Sequence, residues 1–297
     1  MKKTLVIGSE GMLGRALMKS LLKHDILAEG ADIRSQANRV DITNAGEVSN
    51  IFNKVKPDLL IHAAAYTDVD GCELNPERAY KINSEGTKNI AEGCMESGTF
   101  LIYISTDFVF DGVKEKPYAE SDEPRPINTY AKSKLKGEEY IKEIMDSYLI
   151  IRTSWLFGDG GKNFVDTIRE KAKQEHILQV VDDQKGSPTY ADDLAEAITG
   201  LLAGNILGEG LGILNITNSG SCTWFEFARE IISMVGLDGV TVEPITSDKV
   251  RHQAQRPRYS VLDNGRFAAI YGKKLPSWQD ALSRYLYSNK GAEKRQL

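Results

Sequence analysis

The 297-residue chain is poor in cysteine and histidine, and each shortage excludes some chemistry. Its three cysteines, Cys72, Cys94 and Cys222, are odd in number and widely spaced, with no C-x-x-C pair, so neither a disulfide framework nor a structural zinc site is supported. That usage suits a reducing cytoplasm, which is the expected compartment. The four histidines, His24, His62, His176 and His252, are scattered, and surface or packing roles are expected for them. No metal cluster is evident, although scattered surface carboxylates leave room for magnesium at a subunit contact.

Long hydrophobic runs are also missing. Near-continuous apolar stretches such as Leu59 to Ala65 fall far short of the roughly 20 residues that span a bilayer. The N-terminal apolar stretch stops at Gly8-Ser9-Glu10, too early for the about 7–15 apolar residues of a signal peptide. A net charge of −5 without a basic block argues against nucleic acid or an anionic membrane as partner. Hydrophobic residues at 41% and charged ones at 27% are the shares of a globular protein, and the length allows one large α/β domain or two unequal lobes.

What is present is a regular alternation. Strand-like runs at 4–8, 26–32, 58–65, 100–105 and 148–152 are separated by helix-like segments at 11–22, 44–54, 76–96 and 130–145. Asp41 or Thr43 is available to cap the second helix. This pattern predicts an α/β fold of Rossmann type, a doubly wound parallel sheet, with a smaller mixed α/β C-terminal substrate lobe. Residues 1–152 form the expected dinucleotide-binding domain, rejoined by about 177–212, while 153–176 and 213–297 form the lobe. The second half mixes short strands (177–181, 212–216, 240–244) with helices (163–174, 190–202, 223–235, 277–287).

Between the first strand and first helix stands Gly8-Ser9-Glu10-Gly11-Met12-Leu13-Gly14. Gly8 permits the tight turn, Gly11 lets backbone amides approach a pyrophosphate, and Gly14 lets helix and strand pack closely. The amides and dipole of the helix N-terminus then hold the anion. Asp32, at the end of the second strand, suits the adenosine ribose hydroxyls and favours NADH, whereas Arg34 suits the 2′-phosphate of NADPH. Use of either cofactor, or both, is therefore expected.

Tyr130 and Lys134 lie at i and i+4, on one face of a helix. A tyrosine with its ordinary pKa of about 10 is a poor proton donor at neutral pH. A neighbouring ammonium is expected to stabilise the phenolate, drawing that value down, and can also bond the nicotinamide ribose. Thr106, at the C-terminal end of the fourth strand, is placed to polarise a carbonyl.

These motifs, with Asn83 on the third long helix, resemble the extended short-chain dehydrogenase/reductase superfamily. Ala63 to Asp70, Ser105 to Gly112, Arg152 to Trp155, Asp183 to Tyr190 and Arg256 to Ser260, with Trp278 leading the last helix, are similar to the dTDP-4-dehydrorhamnose reductase family. The likeness runs from about residue 3 to about 288. It implies that Gly11, Met12 and Leu13 line the pyrophosphate, that Asp41 and Ile42 border the adenine, and that Ala65, Tyr66 and Thr67 follow the third strand beside the cofactor. It also implies that Thr106, Tyr130 and Lys134 carry the chemistry and that Asp107 and Trp155 face the sugar. Arg256 is a candidate for the nucleotide phosphates, which suit a guanidinium fork. Two departures are visible: Phe108 stands where the family often has tyrosine, and Met12 where it often has glutamine.

The implied reaction is NAD(P)H-dependent reduction of the C4 keto group of dTDP-4-dehydro-β-L-rhamnose to dTDP-L-rhamnose, for cell-surface polysaccharide. The implied partner is a nucleotide-sugar, with a second copy of the chain as a candidate homodimer partner. The alternatives are a reductase or epimerase for another nucleotide-4-keto-sugar, and a non-catalytic regulatory subunit resembling the methionine adenosyltransferase β subunit. The intact Thr106, Tyr130 and Lys134 set weighs against the last.

Overall fold

The computed structural model describes residues 3–204, 206–208 and 210–293. The first half contains β1 (Thr4–Ile7), α1 (Met12–Lys23), β2 (Ala28–Ala31), α2 (Ala45–Val55), β3 (Leu59–His62), α3 (Val69–Leu74), α4 (Pro76–Tyr80), α5 (Gly86–Ser97), β4 (Phe100–Thr106), α6 (Thr129–Ile144) and β5 (Tyr148–Thr153). The second half begins with β6 (Leu156–Phe157), α7 (Phe164–Ala172), β7 (Ile177–Val181), β8 (Lys185–Gly186), β9 (Thr189–Tyr190) and α8 (Ala191–Ala203). It continues with β10 (Gly212–Asn215), β11 (Cys222–Thr223), α9 (Trp224–Val235), β12 (Thr241–Ile245), α10 (Gly265–Tyr271) and α11 (Trp278–Glu293).

Six of these strands form one sheet in the order β10-β5-β4-β3-β1-β2, with every pairing parallel. Alternate residues point to opposite faces, and both faces are buried. Val6, Ile61, Ile102 and Ile151 pack on one side with the Leu13, Leu17 and Leu21 stripe of α1 and with α8. Leu5, Leu60, Leu101 and Ile150 pack on the other side with Phe52 of α2, Ile90 of α5 and Ile141 of α6. The chain leaves β1 for β2 on one side and β3 on the other, so the carboxyl ends of β1 and β3 flank a switch in strand order, where such sheets bind ligands. Among the described residues, no helix is long and apolar enough to cross a membrane.

Several sequence expectations are refined. The cap of α2 is Asn44, whose side chain accepts from the Gly46 and Glu47 amides, rather than Asp41 or Thr43. Asp41 instead accepts from the amide and hydroxyl of Thr43. The helix expected over 76–96 is interrupted by a π turn at Lys81–Glu85, and the short α3 precedes it. The apolar run 58–65 pairs only as far as His62, beyond which the chain turns past the glycine loop.

A third core lies in the second half, where Val165 and Ile168 of α7, Phe227 and Ile231 of α9 and Leu282 of α11 pack around Phe157. The strand 177–181, expected to help complete the main sheet, pairs with β12 in a separate two-stranded sheet. The return to the main sheet is made by α8, which shares a core with α1, and by β10, which extends the sheet beside β5. The divergence follows from side-chain pattern. Ile177 and Gln179 are exposed while Leu178 and Val180 are buried, and such a strand has only one face to bury.

Candidate active site

The glycine loop is constrained by its close neighbours. A Cβ on Gly14 would stand 2.0 Å from the Gly8 carbonyl oxygen, and Gly8 has φ +85 with Ala64 backbone 2.6 Å from where its own Cβ would lie. Helix, loop and third strand therefore meet at van der Waals distance only with glycine here. Gly11 is the N-cap of α1, offers no capping side chain, and no acidic residue occupies the first turn. The leading amides of α1 thus remain available to an anion, and the helix dipole favours one there.

Gly11, Met12, Leu13 and Gly14 line one end of a cleft of about 570 Å³ that also contains Ala65, Thr67, Thr106, Asp107, Tyr130, Lys134 and Trp155. Gly8, Asp32, Asp41, Ile42, Tyr66 and Arg256 lie outside that lining. Asp32 is buried and accepts from the Glu10 amide at 3.2 Å and from the Arg34 amide at 2.9 Å. The Arg34 guanidinium reaches the same carboxylate at 3.3 Å yet stays exposed and lines the cleft. The Tyr66 ring lies under the Arg78 guanidinium at 4.7 Å. Asn83, in the π turn, accepts from the Tyr66 amide at 2.7 Å and donates to the Tyr66 carbonyl and to the Ser133 hydroxyl. It pins the loop after β3 to α6, a positional use typical of π turns at functional sites.

Arg256 is not free for phosphate. Its guanidinium grips Asp70 at 3.2 and 2.8 Å, and the Gln253 and Ala254 amides donate to the same carboxylate. The guanidinium holds the Asp70 carboxyl well below the usual range, its bond outweighing other charges although burial opposes it. As found, Arg256 clamps the C-terminal segment to α3.

Asn128 starts α6 by accepting from the Ala131 amide, and the helix then carries Tyr130, Lys134 and Glu138 along one face. Lys134 is 2% exposed and donates to the Ile104 carbonyl at 2.7 Å, with its nitrogen 4.0 Å from the Tyr103 ring centroid. Burial pulls its ammonium down to about 7, against an upward pull from Glu138. Glu138 itself is fully buried in a two-bond pair with Arg152, at 3.0 and 2.7 Å, and accepts from Ser105 at 2.6 Å. Burial opposes that charge, but the Arg152 guanidinium more than offsets it and keeps the carboxyl low.

Thr106 ends β4 opposite Thr153 of β5 and donates to Asp107 at 3.1 Å. Burial raises Asp107 to about 7, although hydrogen bonds from Ser260 and Thr106 pull the other way. Tyr130 opens onto the cleft with Phe108 edge-on at 6.2 Å. Its hydroxyl is pushed well above the ordinary tyrosine value, first by desolvation and then by the Asp107 charge, while Thr106 draws it down. The expectation that Lys134 lowers it is therefore corrected. Desolvation leaves Lys134 only partly charged at neutral pH, and one of its N–H donors is used on the Ile104 carbonyl. His62 has the packing role expected of it, buried beside Thr87 and held neutral by desolvation, at about 3.

Sequence reasoning missed two features of the cleft. Trp224, at the start of α9, forms part of its wall. The turn Gly158-Asp-Gly-Gly-Lys162 brings Gly160, Gly161 and Lys162 to the lining, close to Met12. The second carries a legible signal, three glycines and a lysine in five residues.

A reduced nicotinamide dinucleotide fits this donor set: uncapped helix amides at one end, a carboxylate with an exposed guanidinium beside them, and a hydroxyl pair at the other end. A family model described as RmlD substrate binding domain matches residues 1–290. The spore coat polysaccharide biosynthesis protein SpsK of Bacillus subtilis is 37% identical over 98% of this chain and 99% of its own. A dTDP-4-dehydrorhamnose reductase of Aggregatibacter actinomycetemcomitans is 36% identical over 95% of this chain and 97% of its own. The crystal structure of dTDP-4-dehydrorhamnose reductase from Bacillus anthracis in complex with NADP superposes with a TM-score of 0.89 at 36% identity, covering 97% of this chain and 99% of that one.

Proposed function

The chain belongs to the family of the RmlD substrate binding domain, and from that membership we propose that it reduces the C4 keto group of dTDP-4-dehydro-β-L-rhamnose to give dTDP-L-rhamnose, using NADPH or NADH. The observation that carries this reading is the meeting of Thr106, Tyr130 and Lys134 in one cleft with the amide-bearing start of α1.

The bound dinucleotide supplies hydride to the carbonyl carbon. The chain's residues do the rest. The leading amides of Met12 and Leu13 hold the pyrophosphate, which Gly11 borders, its own amide being used on the Gly8 carbonyl within the Gly8–Gly14 turn. Asp32 holds the adenosine ribose and Arg34 meets a 2′-phosphate when one is present, with Asp41 and Ile42 bordering the adenine. Ala65 and Thr67 line the path to the nicotinamide end, held in place by the Asn83 bonds to Tyr66 between them.

Tyr130 donates to the substrate carbonyl oxygen, and Thr106, turning its hydroxyl from Asp107, donates to it as well, so that both stabilise the charge that develops there. Tyr130 then gives up its proton as general acid. A high-pKa hydroxyl remains protonated at neutral pH and is matched to an alkoxide, a stronger base than itself. Lys134 orients the nicotinamide ribose and adds positive charge behind Tyr130. Asp107 and Trp155 bound the sugar.

On this reading the cofactor half comprises 1–152 with α8 and β10, and the sugar lobe 153–190 with the remainder of 213–297. Three free, buried cysteines suit a cytoplasmic setting. The experiment is oxidation of NADPH and of NADH by the purified chain against a panel of nucleotide-4-keto-sugars. Consumption of cofactor with the rhamnose precursor supports the reading. Interconversion of a nucleotide-sugar without net consumption would instead identify an epimerase.

A further inference from the structure

Trp155 is the second residue past the end of β5, two residues after Thr153, the register partner of Thr106, and its backbone is left-handed, with φ +47. A bulky side chain adopts that conformation only where its surroundings impose it. The surroundings here are two neighbours. The Trp224 indole stacks on the Trp155 indole with centroids 3.4 Å apart and planes 5° from parallel. Gly186 passes so close that a Cβ there would stand 2.4 Å from Trp155 Cε2 and 2.6 Å from Nε1.

Both neighbours come from a single piece of structure. Gly186 ends β8 and pairs with Cys222 of β11 in an antiparallel ribbon, and Trp224 follows that ribbon directly as the first residue of α9. The ribbon is fastened at its other edge as well. Lys185 bridges to Tyr259 through backbone bonds, in the segment whose Ser260 acts on the Asp107 carboxyl. Trp224 is itself supported by Phe164, with centroids 4.5 Å apart, and its helix is secured by a capping box between Thr223 and Glu226.

We propose that Trp224 is a positioning residue for the sugar: together with the Gly186 backbone it holds Trp155 in its strained orientation, so that the β8–β11 ribbon sets the wall against which the 4-keto-hexose aligns with Thr106 and Tyr130. Stacked indoles present a rigid apolar plane with few rotatable bonds, which suits the C–H face of a deoxy-hexose and costs little ordering entropy on binding. The role belongs to the sugar and not to the dinucleotide, because the cofactor cradle is built from β1, α1 and the loop after β3.

This inference rests on the reductase reading, and the test separates the two. Wild-type protein is first assayed for NADPH oxidation with dTDP-4-dehydrorhamnose; no oxidation there would fail the reading itself. With activity in hand, Trp224→Ala, Trp224→Phe and Gly186→Ala are compared. Misplacing a reacting group by about 1 Å costs on the order of 100-fold. Trp224→Ala is therefore expected to lower kcat/KM for the sugar by about 10- to 100-fold, with the KM for NADPH unchanged. Trp224→Phe is expected to recover part of the loss. Gly186→Ala, which leaves Trp224 intact and drives a methyl into the Trp155 ring, is expected to reproduce the loss. The indole stack also supplies a signature independent of turnover: an exciton couplet in circular dichroism that Trp224→Phe abolishes and that sugar binding perturbs. Unchanged kcat/KM in Trp224→Ala, or a loss that falls equally on cofactor KM and on thermal stability, would overturn the proposal.

Discussion

Lys134 donates to the carbonyl oxygen of Ile104 at 2.7 Å, inside a site where burial pulls its ammonium down to about 7. The amine is therefore charged below that pH and neutral above it, and the charged form is the one that supports Tyr130. Asp107, raised by burial to about 7, gains charge over the same interval and opposes negative charge on the substrate oxygen. Both effects have the same sign. The kcat/KM for the sugar is expected to fall as pH rises through about 7. Lys134→Arg, whose charge persists, is expected to weaken that alkaline limb even where the absolute rate drops. A pH–rate profile of the two proteins checks it.

The raised Asp107 value also bears on stability. A carboxyl whose folded pKa exceeds its unfolded one stabilises the fold while protonated and loses that contribution as pH rises toward the folded value, about 7. Asp107→Asn is therefore expected to raise Tm at pH values above about 7 and to change it much less near the ordinary carboxyl value of about 4. Thermal melts across that range measure the difference.

Glu138 and Arg152 are an ion pair with side chains 0% and 1% exposed. Removing one partner leaves the other charged and buried, so Glu138→Gln is expected to cost about 3–5 kcal/mol in denaturant unfolding. Replacing both together, as in Glu138→Leu with Arg152→Met, is expected to recover most of that loss.

Cofactor choice turns on Asp32 and Arg34, which share a 3.3 Å contact at the end of β2. Arg34→Ala is expected to raise the KM for NADPH more than that for NADH, because only the former offers the 2′-phosphate. Asp32→Ala is expected to weaken NADH more strongly. Initial rates with both cofactors, at low and at moderate salt, decide the matter.

Much of this was legible in the sequence because the signals were local. The glycine spacing, the leucine stripe of α1 and the four-residue step from Tyr130 to Lys134 all report on one element at a time. Thr106 was legible as the last residue of an apolar run. Other features depend on residues far apart in the chain. The Asp70–Arg256 clamp joins positions 186 residues apart, and nothing at either position announces that a guanidinium expected at a phosphate is already paired. The two-residue strands β6, β8, β9 and β11 carry no periodicity, and Trp224 reaches the cleft only because β11 pairs with β8. The high pKa of Tyr130 likewise reflects desolvation by the folded site, which i, i+4 spacing does not encode.

The central claim is that Tyr130 delivers the proton in a net reduction at C4. The most direct test follows product formation from dTDP-4-dehydro-β-L-rhamnose by NMR while monitoring NADPH, in wild type and in Tyr130→Phe. The account predicts dTDP-L-rhamnose with one cofactor oxidised per sugar in the wild type. In the variant it predicts a kcat lower by about 100- to 10,000-fold, with NADPH affinity retained. Near-normal turnover by Tyr130→Phe, or conversion of the sugar by wild type without consuming cofactor, would contradict it.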